Sequence, residues 1–376
     1  MTRTSAFDAL VSALRSPGVD RREFLSRALR AGASVGALGA LVQACGAAES
    51  DDTPMGELGP IEKELTLYIW SDYLADDTIP NFEREFGVDV TVDTFESNED
   101  MLAKLLAGAT GYDLVLPSAY VFPVLFGSDL IAPLDRRYLP NWSNVAPLFA
   151  DPEWDAGSAH SVPWQWGVTG IAYRTDLVPE RPDSWGVFLD PRYRGKMTML
   201  DDSRDVIGSF LRYRGHSLNS GDPAELAEAK ADAIAAKATI RAFISATVKG
   251  QLVAGDVWIA QLWNGDTLQA RAEQPAIDFV LPREGSMLFV DSLVIPRSAR
   301  HPRAAHEFMN YFLRPEVAAA IADKTGYGTT NQAALPLTEA KLPFPDDEEM
   351  SRLEFQKDLG RDTELWDRIW TEIKAA

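Results

Sequence analysis

The apolar positions of this chain change period again and again. "LTLYIW" (65–70) is a strand-length apolar run, and "DDTIPNFEREFG" (76–87) has helical spacing, acids near its start and a glycine stop. "VDVTVDTF" (88–95) alternates as a half-buried strand does. "SNEDMLAKLLAG" (97–108) opens on a serine cap and carries an apolar helical face. "YDLVLPS" (112–118) predicts a short buried strand, followed by a helix near 120–127. Strands alternating with helices predict a mostly parallel sheet covered by helices.

"SVPWQWGVTGIAYRT" (161–175) is a long extended aromatic segment that crosses to a second run of the same kind. There "KMTML" (196–200) predicts a strand and "SRDVIGSFLRYRG" (203–215) a capped helix. "PAELAEAKADAIAAKATI" (223–240) is a helix with proline in its first turn. "GDVWIAQLWNGDTLQARAEQ" (255–274) has the pattern strand, turn, helix, and "IDFVLP" (277–282) is another strand. Helices follow at 302–313 and 315–324, and both "EEMSRLEFQKDL" and "ELWDRIWTEIKAA" have helical character. No repeat of 20–50 residues is present. The expected class is therefore α/β, with two lobes joined by more than one crossing.

One strand contains an oddity. "GSMLFVDSLVIP" (285–296) has the pattern of a buried strand, yet holds Asp291, and an ionised carboxylate in apolar surroundings is costly unless paired. In open α/β sheets ligands bind beyond the carboxyl ends of strands, and pockets favour domain interfaces. The residues that follow the predicted strands are Trp70, Ser71, Asp72 and Tyr73; Ser118 and Tyr120; Asp201, Asp202 and Asp205; Trp263, Asn264 and Asp266; and, on the crossing strand, Phe289 and Asp291. They supply rings, hydroxyls and carboxylates, with no histidine, and apart from Arg204 lysine and arginine are scarce. An ammonium has donors and no acceptor, so it matches carboxylates and hydroxyls, while aromatic faces attract it and cover its methylenes. The set describes a box for an organic cation, in which Asp291 faces the ligand's ammonium.

Charge and cysteine content narrow the picture. The 376 residues carry 56 acidic and 36 basic side chains, a formal charge of −20, so nucleic acid is not an expected partner. The single cysteine, Cys45, precludes an intramolecular disulfide, and no metal motif or cofactor signature is present. The first 45 residues hold twin arginines, Arg21 and Arg22, then an Ala/Gly-rich apolar run ending in "VQAC". This is the pattern of a twin-arginine export signal with a lipoprotein box, which predicts an exported protein anchored to a membrane through lipid on Cys45. "GASVG" (32–36) matches a nucleophile-elbow pattern but lies inside this signal and is discarded. Removing residues 1–45 deletes six arginines and three acids, taking the charge from −20 to −23. Residues 46–60, rich in Gly, Pro and acids, read as a flexible tether.

From about residue 61 to the end the chain resembles the spermidine/putrescine-binding proteins of bacterial ABC transporters. The resemblance is carried in order by "YIWSDYL", "FESNEDMLAKL", "GYDLVLPSAY", "LDDSRDV", "LWNGD", "PREGSMLFVDSLVIP", "FLRPEVA" and "TGYGTTNQAA". It implies a type II periplasmic-binding-protein fold. Lobe 1 would comprise 61–166 plus 291–338 and lobe 2 167–290 plus 339–376, with hinges near 164–168, 288–291 and 335–340. It implies ligand contacts at Trp70, Ser71, Tyr73, Ser118, Tyr120, Asp202, Trp263 and Asp291, with Asp72 as an extra carboxylate, and adds Tyr327 in "TGYG" and Gln356 in "EFQKDLG". Asp205 stands where the family usually has glutamate. Asp266 matches the putrescine-preferring branch, and Phe289 stands where the spermidine-preferring branch has tryptophan. These mixed features leave the preferred polyamine open.

The implied function is capture of putrescine or spermidine and delivery to a membrane permease, by a protein expected to act as a monomer without cofactor. Alternatives are another organic cation, an opine or amino-acid-like ligand, or a sensor role toward a membrane receptor. Asp202 and Asp205 are spaced as an acid–base pair, but no nucleophile–base motif accompanies them, so catalysis is not expected. Singly, each residue has a plainer role: Trp70, Trp263 and Phe289 as core, the tyrosines as interface packing, and Asp202, Asp205 and Ser118 as helix caps. Asp72 and Asp266 would be solvated or capping, Gln356 the surface of a helix, and Asp291 the partner of an arginine.

Overall fold

In the computed structural model, which describes residues 59–376 except 246, 340–344 and 346, strand β1 (Glu64–Trp70) sets the plan of the first half. Its side chains alternate: Leu65, Leu67 and Ile69 enter one core, and Tyr68 enters another on the opposite face. A strand buried on both faces needs helices on both, and the chain supplies them. Helix α1 (Thr78–Phe86), ended by left-handed Gly87, buries Phe82 in the first core, and α2 (Asn98–Leu106), capped by Ser97, buries Met101 and Leu105 in the second. β1 pairs in parallel with β2 (Asp89–Phe95) and β3 (Leu114–Val115); α3 (Phe122–Gly127) follows.

The crossing segment is strand β4 (Ser161–Arg174), buried along all 14 residues. A second half repeats the design with β5 (Met197–Met199), α4 (Ser203–Tyr213), α5 (Pro223–Ala236), β6 (Ile240–Phe243), α6 (Val248–Ala254), β7 (Ile259–Trp263), α7 (Asn264–Glu273) and β8 (Ile277–Val280). Here too the sheet has a core on each face, one holding Ile171, Met197, Met199 and Ile259, the other Ala172, Leu200, Ala260 and Leu262. β5 pairs in parallel with β6 and β7. Strand β9 (Ser286–Val294) returns antiparallel to the first part of β4, from Val168↔Leu288 to Ser161↔Val294, while Thr169–Arg174 pair with β7 and β8. The strand path is β2-β1-β3-β9-β4-β7-β5-β6, so β4 and β9 join the halves. Helices α8 (Pro302–Phe312) and α9 (Pro315–Thr325), strand β10 (Gly328–Thr329), the short α10 (Asp347–Met350), β11 (Leu353–Phe355) and α11 (Thr363–Ala375) complete the chain.

Four expectations need correction. "EEMSRLEFQKDL" is one turn of helix followed by β11, because Leu353–Phe355 pair in parallel with Ser286–Leu288 and that ladder outweighs helical periodicity. The helix predicted over 223–240 stops at Ala236, and Ile240 begins β6. Helix α6 was not expected, and no turn separates β7 from α7, since Trp263 is both strand end and helix cap position. The strand over 112–118 contracts to Leu114–Val115. Cys45, the export signal and the tether through residue 58 lie outside the described residues.

Candidate functional site

The parallel strands of both halves point their carboxyl ends at one cavity of about 350 Å³. β1 ends at Trp70 and hands Ser71, Asp72 and Tyr73 to its wall, with Asp72 held in the left-handed region at φ 54°. The loop after β3 contributes Ser118 and Tyr120; from the other half, β5 delivers Asp202 and Asp205, and β7 delivers Trp263 and Asp266. Phe289 and Asp291 enter from β9, Tyr327 from the turn after α9, and Gln356 from the end of β11. The structure thus brings all fourteen predicted ligand-facing residues to one cavity. Gln356 arrives on a strand end, its backbone N–H donating to the Leu288 carbonyl at 3.3 Å, rather than on a helix.

Asp291 is 3 % exposed, and no basic side chain among the described residues pairs with it. Its partners are two hydroxyls: Tyr73 donates at 2.6 Å and Ser118 Oγ donates at 2.6 Å. Asn98 fixes the second donor, because its Nδ2 donates to Ser118 Oγ at 3.0 Å and its Oδ1 accepts from the Ser118 amide at 3.1 Å. Burial pushes the Asp291 carboxyl up to about 6, and the two hydroxyl hydrogen bonds restrain the rise.

On the other wall Asp202 caps α4, accepting from the Asp205 amide at 2.9 Å, so the capping role is real. Asp202 and Asp205 both line the cavity, and Asp205 accepts from Thr169 Oγ1 at 2.7 Å. Burial raises both carboxyls, that of Asp205 well above the usual range, with repulsion from Asp202 adding to its rise. Behind them Arg204 stacks between Tyr120 and Trp366, at 5.0 and 5.1 Å, and donates to Asn219 at 2.9 Å, so this arginine supports the wall without lining it.

Rings frame the acids. Trp70 meets Trp263 edge to face at 6.3 Å, and Tyr73 and Phe289 pack against Tyr327 at 5.0 and 6.0 Å. Tyr327 donates to Asp266 at 2.9 Å, and burial raises the Asp266 carboxyl. Gly167 lets these rings close, since a Cβ there would stand 2.5 Å from Phe289 and 2.9 Å from Tyr327.

Four lining residues escaped sequence reasoning: Glu96, Asn98, Ser245 and Lys249. Glu96 and Asn98 follow β2 in "FESNED", where the helix-cap signal concealed the strand-end signal. Ser245 and Lys249 follow β6, a strand hidden by a helical pattern. Basic residues are scarce in the described lining, as expected, but Lys249 is one: its ammonium donates to Asp72 at 2.6 Å and to Gln269 Oε1 at 3.0 Å. Among the described residues the lining therefore holds six carboxylates and one ammonium.

Comparison with known proteins agrees with this geometry. A family profile described as bacterial extracellular solute-binding protein matches residues 77–351. A putrescine/cadaverine-binding protein of Pseudomonas aeruginosa is 34 % identical over 331 residues, covering 83 % of this chain and 94 % of its own. A spermidine/putrescine-binding periplasmic protein of Escherichia coli is 33 % identical over 346 residues, covering 90 % and 97 %. A solved structure described as a putative spermidine/putrescine ABC transporter from Listeria monocytogenes superposes with a TM-score of 0.79 at 32 % identity, over 83 % of this chain and 99 % of that one. With its two halves, its crossing strands β4 and β9 and its cavity between strand ends, the chain has the two-lobed fold of type II periplasmic binding proteins and belongs to the bacterial extracellular solute-binding protein family.

Proposed function

We propose that this chain is an exported substrate-binding protein that captures a polyamine and delivers it to an ABC transporter permease, without catalysis. The observation that carries this reading is Asp291: a buried carboxylate held by two hydroxyls, lacking a basic partner among the described residues and opening on a cavity with five further carboxylates. An anionic ligand would meet repulsion there. A diamine or triamine offers ammonium groups for the acids and methylenes for Trp70, Trp263, Phe289 and Tyr327. Each cation–ring contact is worth about 0.5–2 kcal/mol and each charge-assisted hydrogen bond about 1.5–3 kcal/mol, which after desolvation and ordering leaves roughly micromolar binding. The relatives' ligands, as their names give them, are of the same class.

The mechanism is hinge closure. Tyr73, Ser118 and Tyr120 come from one half and Asp202, Asp205, Trp263 and Asp266 from the other, so a ligand that touches both stabilises the closed state over the open one. The lobes in this reading are 61–166 plus 291–338 and 167–290 plus 339–376. They turn where β4 and β9 cross, at 164–168 and 288–291, and near 335–340. The twin-arginine segment and Cys45 add export and a lipid anchor to this reading, with the protein working as a monomer. Calorimetric titration of the mature protein with putrescine and with spermidine tests it: saturable heat and a rise in Tm are expected with at least one, and neither effect with either amine overturns it.

A further inference from the structure

Five of the six carboxylates of the cavity fall into three groups: Asp291 on the crossing strand, Asp202 with Asp205 at the start of α4, and Asp72 after β1 with Asp266 in the first turn of α7; the sixth, Glu96, is exposed and accepts from Ser71 Oγ at 2.7 Å. Among the described residues only the third group has a basic side chain within ion-pairing distance. Lys249, the second residue of α6, places Nζ 2.6 Å from Asp72 and 3.9 Å from Asp266. Its third direction goes to Gln269 Oε1 at 3.0 Å, and Gln269 is fixed in turn by donating to the Thr325 carbonyl at 2.8 Å. The ammonium is thus surrounded as an ammonium ligand would be, by two carboxylates and an amide oxygen inside the cavity wall. The pair also spans the cleft, since Asp72 follows β1 and Lys249 belongs to the half built on β5–β8.

We propose that Lys249 is a specificity-determining residue: its ammonium stands in for the third cation of a triamine between Asp72 and Asp266, so that the cleft selects a diamine. The two remaining groups, Asp291 and the Asp202–Asp205 pair, each take one ammonium of that diamine. A triamine has a further positive charge, which meets the Lys249 ammonium, carboxylates already neutralised by it, or Glu96, whose exposure leaves its charge screened by water. This inference rests on the polyamine reading of the site and narrows it to a ligand with two cationic ends.

The test is calorimetric titration of the mature protein and its Lys249→Met variant with putrescine and with spermidine. The unaltered protein is expected to bind putrescine more tightly. Removing the internal cation frees Asp72 and Asp266, so in Lys249→Met the ratio of spermidine to putrescine affinity rises about tenfold, the value of one charge-assisted contact regained. Lys249→Gln, which keeps a polar side chain and lacks the charge, gives the same direction should the methionine variant fold poorly. A ratio that rises threefold or more upholds the proposal. A smaller rise overturns it, as does an unaltered protein that holds spermidine as tightly as putrescine. An unaltered protein that binds neither amine defeats the polyamine reading itself, a result separate from an unchanged ratio.

Discussion

Replacing Asp291 by asparagine should strengthen the ligand-free fold while weakening ligand capture. The carboxyl is raised from the ordinary 3.8 to about 6 by burial, so holding it ionised at neutral pH opposes folding. An interval of about two pH units at 1.36 kcal/mol each is about 3 kcal/mol. Asparagine removes that charge but accepts more weakly from Tyr73 and Ser118, a loss of about 1 kcal/mol. The net gain is about 2 kcal/mol, which for a chain of this length raises Tm by about 3 °C. The sign depends on pH. Below 3.8 the aspartate is protonated in both folded and unfolded chains and the two proteins melt alike. As pH rises through about 6 the native protein loses the stability that the protonated carboxyl supplied, and the variant does not. Melting curves of ligand-free protein at pH 4 and 7.5 measure the difference. Titration with putrescine should show at least a tenfold loss of affinity in the variant, about 1.4 kcal/mol or more. A variant no more stable than the native protein at pH 7.5, or stabilised equally at both pH values, would refute the reasoning.

Two further outcomes follow from the same geometry. A bound ammonium favours the ionised form of Asp291, and of Asp202, Asp205 and Asp266, whose carboxyls burial also raises. Putrescine binding at pH 6 should therefore release protons, detectable in buffers of different ionisation enthalpy, and affinity should fall about tenfold from pH 7.5 to 5; a flat profile contradicts the assignment. Gly265→Ala places a Cβ 2.4 Å from the buried ring of Tyr327, which Tyr73 and Phe289 hem in, so it should cost about 1–3 kcal/mol of stability and lower affinity for putrescine, whereas unchanged melting and binding would show the ring free to move.

Much of the site was legible because strand ends announce themselves locally. Trp70 closes an alternating apolar run and Trp263 closes another, and the polar residues after each could be collected without knowing the fold. Asp291 stood out because nothing in a buried strand explains it. Tyr327 and Gln356 had no such signal, and only the family resemblance named them. The losses share one cause, a strand whose pairing comes from far away. β6 has one buried residue among its four and follows an alanine-rich helix, so its period is invisible, and the strand-end place of Ser245 and Lys249 is hidden with it. β11 exists because β9 offers it an edge, which a helical pattern of residues 348–359 cannot reveal. Lys249 is further concealed because its partner Asp72 lies 177 positions away, and charge pairing at that separation leaves no local trace.

In the proposed hinge closure, the buried acids would supply the drive. Asp205, Asp266 and Asp291 all carry raised carboxyls, so the halves approach each other against the cost of desolvating acids. A cation that enters with them supplies the missing charge and removes that opposition, and its value is greatest where water is most fully excluded, in the closed state. The same contact in an open cleft, wetted and screened, is worth much less. A ligand can shift the hinge only by this difference in affinity between the two states, and carboxylates left short of cations are a direct way to make it large. Lys249 would lower the difference at one end of the cleft, where it pairs with Asp72 from the other half. The Asp291 end keeps it, since hydroxyls orient that carboxylate without neutralising it. In this reading one end of the cleft carries a cation of its own chain, and the other waits on the charge of its guest.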